Sequence, residues 1–154
     1  MNDKLWANDP DCLVQADVKK GFKDFFKHSE LPSKRHAKKS FYRYAAAFIR
    51  ASGSVILSGD VLGALTPYDA RVLKTLIDSP RVAAKFNFDY SVGTIETERM
   101  TEYLLFNQTK KKRTFELPIN AVVTEVFSGK SFKPNGNFKV TLNPKDAIWL
   151  KIKK

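Results

Sequence analysis

Between Arg81 and Lys154 no stretch keeps an apolar spacing of three to four residues, and this lack of helical period most narrows what the chain can become. Phe138, Val140 and Leu142 alternate with polar neighbours, and so do Ile148, Leu150 and Ile152. Successive side chains of a strand point to opposite faces, so a period of two marks strands with one buried face. Ser128-Gly129 and "KPNGN" supply turns between the runs. "AVVTEVF" reads as a strand leading into the first of these turns. "TEYLLFN" and "RTFELPI" flank the basic run Lys110-Lys111-Lys112-Arg113 and read as a hairpin with a solvated loop. Short strands broken by turns at this spacing predict an antiparallel β-sandwich or barrel over residues 81–154.

Residues 1–80 have a different grammar. From Lys38, residues Phe41, Tyr44, Ala45, Phe48 and Ile49 recur at helical spacing, and Gly53 provides the stop. Val55-Ile56-Leu57 is an unbroken, partly β-branched apolar run, the signature of a parallel strand buried on both faces. "LTPYDA" then starts a second helix. Thr66 can cap, Pro67 suits the first helical position and Asp69 can complete a capping box. Ala70, Leu73, Leu76 and Ile77 form the expected apolar face, closed by Asp78-Ser79-Pro80. With Leu5-Trp6-Ala7 as a first short strand, the order is a piece of a βαβα pattern, and parallel strands require such crossovers. Phe22, Phe25 and Phe26 suggest an extra amphipathic helix in the long basic connection after Cys12. Two parallel strands do not make a stable sheet by themselves, so this half calls for neighbouring strands.

Composition excludes several classes. With 154 residues, 43% hydrophobic and 12% aromatic, the chain belongs among globular proteins. No apolar run approaches the ~18 residues of a membrane span, and no basic segment followed by an apolar core marks a signal peptide. One cysteine excludes an internal disulfide framework, and Cys12 with His28 and His36 is a poor zinc set. No metal or cofactor is expected. The net charge of +11 concentrates at Lys34–Lys39 and at Lys110–Arg113. Nucleic-acid binding would ask for aromatics interleaved with such a patch. The plainer account of both clusters is solvated surface, which leaves a nucleic-acid partner uncalled for.

The stretch "LWANDPDCL" carries the chemistry. If residues 5–7 are a strand, Asp9 and Asp11 sit just beyond its C-terminal end, and Asp60 holds the same place after the strand at 55–57. In parallel α/β folds that rim carries the active-site groups. The competing reading makes Asn-Asp-Pro-Asp a turn initiator and Asp60 a cap.

"KLWANDPDCL" resembles the seventh strand of the catalytic barrel in melibiases, the α-galactosidase-type retaining glycoside hydrolases. "ASGSVILSGDVLGAL" resembles their eighth strand and "LTPYDARVLKTLI" their last barrel helix. "TEYLLFNQTKKKRTFELPI" and "NPKDAIWLKIKK" are similar to the antiparallel domain that follows. The resemblance implies the last βα units of a (β/α)8 barrel at residues 1–80, with strands 7 and 8, followed by an antiparallel β-sandwich at 81–154. It implies a C-terminal portion of an enzyme acting on terminal α-galactosides or related α-glycosides through two carboxylates without a metal. Both carboxylates would lie on earlier strands, so no catalytic residue is expected in this chain. By the same resemblance Asp11 contacts the sugar, Asp9 orients it, Cys12 lines the pocket wall, Trp6 packs beneath the rim and Asp60 shapes the far side. The partners implied are a galactoside-like carbohydrate and the missing N-terminal barrel portion, with self-association of exposed strand edges. The alternative is a non-catalytic basic module for polyanions or carbohydrate, in which Trp149 and Phe106 are candidate sugar-stacking rings, although both fit core positions better.

Overall fold

The computed structural model describes residues 39–53 and 66–154. Two helices lead the described chain: α1 (Lys39–Ser52) and α2 (Pro67–Ile77). Eight strands follow: β1 (Lys85–Phe86), β2 (Val92–Glu96), β3 (Met100–Asn107), β4 (Arg113–Leu117), β5 (Val123–Glu125), β6 (Lys130–Phe132), β7 (Phe138–Leu142) and β8 (Asp146–Lys153). All strand pairings among the described residues are antiparallel. Six strands form one sheet in the order β1-β2-β3-β8-β5-β6, and β4 pairs with β7 in a second. The expected strands at 5–7 and 55–57 lie outside the described residues.

The architecture has three layers with the six-stranded sheet in the middle. On one face Ile95, Leu104, Phe106, Ala147 and Trp149 pack against Ala46, Ala47 and Ile49 of α1 and Val72 and Leu76 of α2. On the other, Leu105, Val123 and Leu150 pack against Phe115 and Leu117 of β4 and Phe138 and Leu142 of β7. Leu104, Leu105 and Leu150 are fully buried, each contributing about 1.5–3 kcal/mol. The two helices thus share a core with the sheet formed by residues 81–154.

The second helix starts as its sequence dictates. The Thr66 hydroxyl accepts the amide N–H of Asp69 at 3.2 Å, and the Asp69 carboxylate accepts the amide N–H of Thr66 at 3.1 Å, with Pro67 entering the first turn. Its buried side is Asp69, Val72, Leu73 and Leu76, whereas Ala70 and Ile77 face outward. The expected face was therefore rotated by part of a turn. The first helix ends at Ser52, with Gly53 at φ +65°, where a Cβ would stand 2.4 Å from the Ala83 amide nitrogen. On this helix Phe48, expected inside, is 53% exposed, while Arg50 is 3% exposed. The cause lies opposite: Arg50 donates through Nε and Nη2 to the two oxygens of Glu102, both at 2.9 Å, and through Nη1 to the Val82 carbonyl. Trp149 Nε1–H donates to the same carboxylate at 2.7 Å. Alanines at 46 and 47 let the helix backbone come close enough for this bond.

Two readings of the β region change. β3 and β4 are not a hairpin, because β3 pairs with β2 and β8 while β4 pairs with β7. Leu104 to Asn107 are buried on both sides, so β3 belongs at the centre of the large sheet and the chain must cross to the other layer. Asn107 makes the corner: its amide donates to the carbonyls of Lys111, Leu142 and Asn143, and its oxygen accepts from the Thr109 hydroxyl. The run at 121–127 is strand only over Val123–Glu125. Val126 and Phe127 leave the strand and bury their side chains on the helix side.

Removing one member of a buried, hydrogen-bonded ion pair strands the other charge, at about 3–5 kcal/mol. Glu102→Gln should therefore lower the urea midpoint by a loss of that size, whereas the double change Arg50→Leu with Glu102→Leu should cost markedly less. A Glu102→Gln protein within 1 kcal/mol of the parent on the order-of-magnitude scale of surface changes would contradict this account of how α1 is held.

Candidate functional site

None of the five side chains singled out from the sequence, Trp6, Asp9, Asp11, Cys12 and Asp60, lies among the described residues. Among the described residues a polar cleft of about 500 Å³ opens where both helices meet the ends of β5, β7 and β8. Arg43 reaches it from α1, Tyr68 and Arg71 from α2, Glu125 from β5, and Asp146 from the start of β8.

Each charge in the cleft has a partner. Arg43 holds Asp146 in a two-point bond, Nε to Oδ1 at 2.8 Å with Nη2 on Oδ2. Hydrogen bonding to that carboxylate raises the guanidinium pKa, keeping Arg43 charged. Asp146 also caps its own strand by accepting the Ala147 amide N–H. Arg71 lies over the Tyr68 ring at 5.6 Å and donates to the carbonyls of Phe127 and Ser128. A Cβ at Gly129 would meet the Arg71 guanidinium at 2.1 Å, so this arginine and that glycine are mutually fitted. The Glu125 carboxylate accepts the amide N–H groups of Phe127 at 2.9 Å and Ser128 at 2.7 Å, folding the chain out of β5.

The acids of the cleft are taken up in holding the fold: Asp146 is tied to a guanidinium and Glu125 to two backbone amides. The Tyr68 phenol is half-buried, and burial raises its pKa, so it stays a neutral donor and acceptor at the cleft wall. Among the described residues no group of three His, Cys, Asp or Glu could hold a metal ion. Trp149 and Phe106 are 0% and 2% exposed. They are core residues, and no sugar face can reach them.

Arg43, Tyr68, Arg71 and Asp146 had escaped the sequence reading. Their spacing carries no motif, because three different elements supply them. The one local signal was an acidic residue, Asp146, standing directly before the apolar run Ala147–Leu150.

No family model and no curated protein matches the sequence. Solved structures do match in fold. A candidate α-galactosidase/melibiase from Bacteroides fragilis aligns at TM-score 0.68 and 18% identity over 95% of this chain and 34% of that chain. A GH27 β-L-arabinopyranosidase from Geobacillus stearothermophilus aligns at TM-score 0.61 and 13% identity, over 77% of this chain and 31% of its own. α-Galactosidase I from Mortierella vinacea aligns at TM-score 0.56 and 16% identity, over 75% and 36%. The chain therefore has the fold of about a third of these glycosidase chains. At such identities the likeness is one of fold.

The cleft makes a titration prediction. A phenol whose folded pKa is raised contributes fully below its unfolded value near 10 and loses that contribution as pH climbs through the folded value. Absorbance at 295 nm should show tyrosine ionising above the range of the unfolded chain, stability should fall over that interval, and Tyr68→Phe should remove part of the late component. Because burial also raises Tyr44, Tyr44→Phe should remove a further part. A titration with no late component would contradict the burial of both phenols.

Proposed function

We propose that this chain is the C-terminal portion of a retaining glycoside hydrolase acting on terminal α-galactosides or related α-glycosides. The observation that carries the reading is coverage: 95% of the chain aligns with one third of an α-galactosidase-like structure. The motif "LWANDPDCL" supports it independently, since it stands upstream of both helices in the order the barrel requires. In this reading residues 1–80 complete a (β/α)8 barrel with its strands 7 and 8, and residues 81–154 are the β-domain that backs it.

The chemistry divides accordingly. The nucleophile and the acid/base sit on barrel strands outside these 154 residues, and this chain supplies part of the sugar pocket. Asp11 bonds the sugar hydroxyls, Asp9 steadies Asp11, Cys12 and Trp6 line the wall, and Asp60 closes the far side. A carboxylate accepting two sugar hydroxyls fixes the ring against the catalytic pair, and such positioning lowers the barrier by orientation.

The cleft sits where helices that would belong to the barrel meet the β-domain. Arg43–Asp146 and the Arg71 bonds to residues 127 and 128 are the fastening between those two parts.

The test is hydrolysis of 4-nitrophenyl α-galactoside. The 154-residue chain alone should release no nitrophenol above background. Supplied with the N-terminal two thirds of a related glycosidase chain, carrying barrel strands 1 to 6, fused or co-expressed, it should support turnover. In that assembly Asp11→Asn should cost about a hundredfold in kcat/KM, the loss expected when a charged partner of a buried sugar hydroxyl is removed. Turnover by the chain alone that Asp11→Asn abolishes would overturn the division of labour, and an assembly indifferent to Asp11 would overturn the site.

A further inference from the structure

At the end of the β-domain beyond Asn107, three turns come together. The β1–β2 turn (87–91), the β3–β4 loop (108–112) and the β7–β8 turn (143–145) are bonded to one another. Gln108 Nε2–H donates to the Tyr90 carbonyl at 3.3 Å, Arg113 donates to Asp89 at 2.7 Å, and the Lys145 ammonium donates to the Gln108 carbonyl at 2.5 Å. Asn107 ties the middle loop to the last turn through the Lys111 and Asn143 carbonyls. The surface is therefore one held platform rather than three separate loops.

Its chemistry is unusual for a solvated face. Phe88 is 101% exposed and Tyr90 66% exposed, with Phe86 packed 6.1 Å behind the Tyr90 ring. Exposed large apolar groups mark interaction sites when they cluster. Beside them stand Lys110, Lys111, Lys112 and Lys145, all exposed. The acid within these turns, Asp89, is held ionised by the Ser91 hydroxyl and by Arg113, and Arg113 thereby neutralises it. Tyr90 and Lys145, the two non-glycine residues with positive φ among those described, both lie here, each at 55°. Non-glycine residues enter that region at a cost in energy, and such positions gather at sites of function. The sequence alone showed the lysine run without rings; the fold brings the rings to it.

The geometry points to a binding platform for an acidic polysaccharide, its pyranose faces on Phe88 and Tyr90 and its carboxylates or sulfates on Lys110, Lys111, Lys112 and Lys145. The inference rests on the glycosidase reading for the choice of a sugar chain. It draws also on the cations themselves. The guanidinium at the platform, Arg113, is occupied by Asp89 and lies 4.8 Å over the Phe115 ring. What remains are ammonium groups, point charges without the fork that grips phosphate at two points. Such a site would hold polymer beside the enzyme while the barrel works on its ends.

Affinity electrophoresis of the full chain tests it, in gels containing polygalacturonate, heparin or neutral galactomannan, with labelled oligo(dT) titrated in parallel. Both acidic polymers should retard the chain and galactomannan should not. Retardation by only one of them also supports the platform and assigns it carboxylate or sulfate. Lys110→Glu, Lys111→Glu and Lys112→Glu combined should weaken binding about tenfold or more and flatten its salt dependence. The same charge change at Lys133, Lys139 and Lys153, away from these turns, should have little effect. Phe88→Ala should weaken binding about threefold or more, the size of a lost ring contact, and leave the salt dependence unchanged. Equal losses from the two triple variants would mean diffuse charge and overturn the proposal. So would equal retardation by galactomannan, indifference to Phe88→Ala, or tighter binding of oligo(dT) than of either acidic polymer. Because the gels read binding by this chain without turnover, failure here is distinct from failure of the nitrophenol assay.

Discussion

Glu102 sits at the middle of the large sheet with no exposure at all, and three hydrogen bonds converge on its carboxylate: two from Arg50 and one from the Trp149 indole. Two opposite charges taken out of water lose several kcal/mol each in hydration, which only close, well-aligned partners offset. The demand for alignment organises the layer. α1 must present Arg50 inward, β3 must place residue 102 on the helix face, and β8 must bring Trp149 beside it in register. The Val82 carbonyl takes the remaining guanidinium bond and fixes the link between α2 and β1. Lys151 extends the cluster: its ammonium lies 4.7 Å over the Trp149 ring and donates to the Ser79 hydroxyl at 3.0 Å. Its pKa is lowered by burial, against the pull of Glu102. An apolar contact tolerates sliding, and this one does not.

What the sequence made legible was local. The Thr66–Asp69 capping box depends on residues three apart, and the structure has it as read. The alternation of β7 was equally visible, since it follows from a strand's own period, and Trp149 and Phe106 sit in the core, the place that suited them better than a sugar site. The failures were non-local. Phe48 was read as inward with Phe41, Tyr44, Ala45 and Ile49, whereas the bond from Arg50 to Glu102, fifty-two residues on, turns Arg50 inward and leaves Phe48 exposed. β3 and β4 were paired because they are adjacent in sequence, yet four consecutive buried residues at 104–107 mark a central strand with two other neighbours. For the candidate site the same division holds. The cleft is assembled from Arg43, Tyr68, Arg71, Glu125 and Asp146 on separate elements, a combination with no spacing to recognise, while Trp6, Asp9, Asp11, Cys12 and Asp60 fall outside the described residues.

The cleft and the platform share a hinge point in the β7–β8 turn. Asn143 lines the cleft with its neighbours Leu142 and Asp146, and its carbonyl accepts from Asn107, whose other bonds shape the lysine loop. A fully buried side-chain amide bonded to three carbonyls is expensive to leave unsatisfied. Asn107 thus sets the separation between the cleft and the turns that carry the exposed rings of Phe88 and Tyr90.

β8 is the last in sequence of the described strands and yet stands at the centre of the large sheet, between β3 and β5. Before residues 146–153 leave the ribosome, β1-β2-β3 and β5-β6 are two unconnected fragments, and neither the Glu102 cluster nor the core beneath β4 and β7 can close. A central strand that pairs with β3, far back in the sequence, means long-range pairing, which is slow to find. The helices and outer strands must therefore wait, partly uncovered, until synthesis has passed Lys153. Folding of this unit can be completed only after β8 has emerged, and until then its apolar faces stand open to a chaperone or a partner.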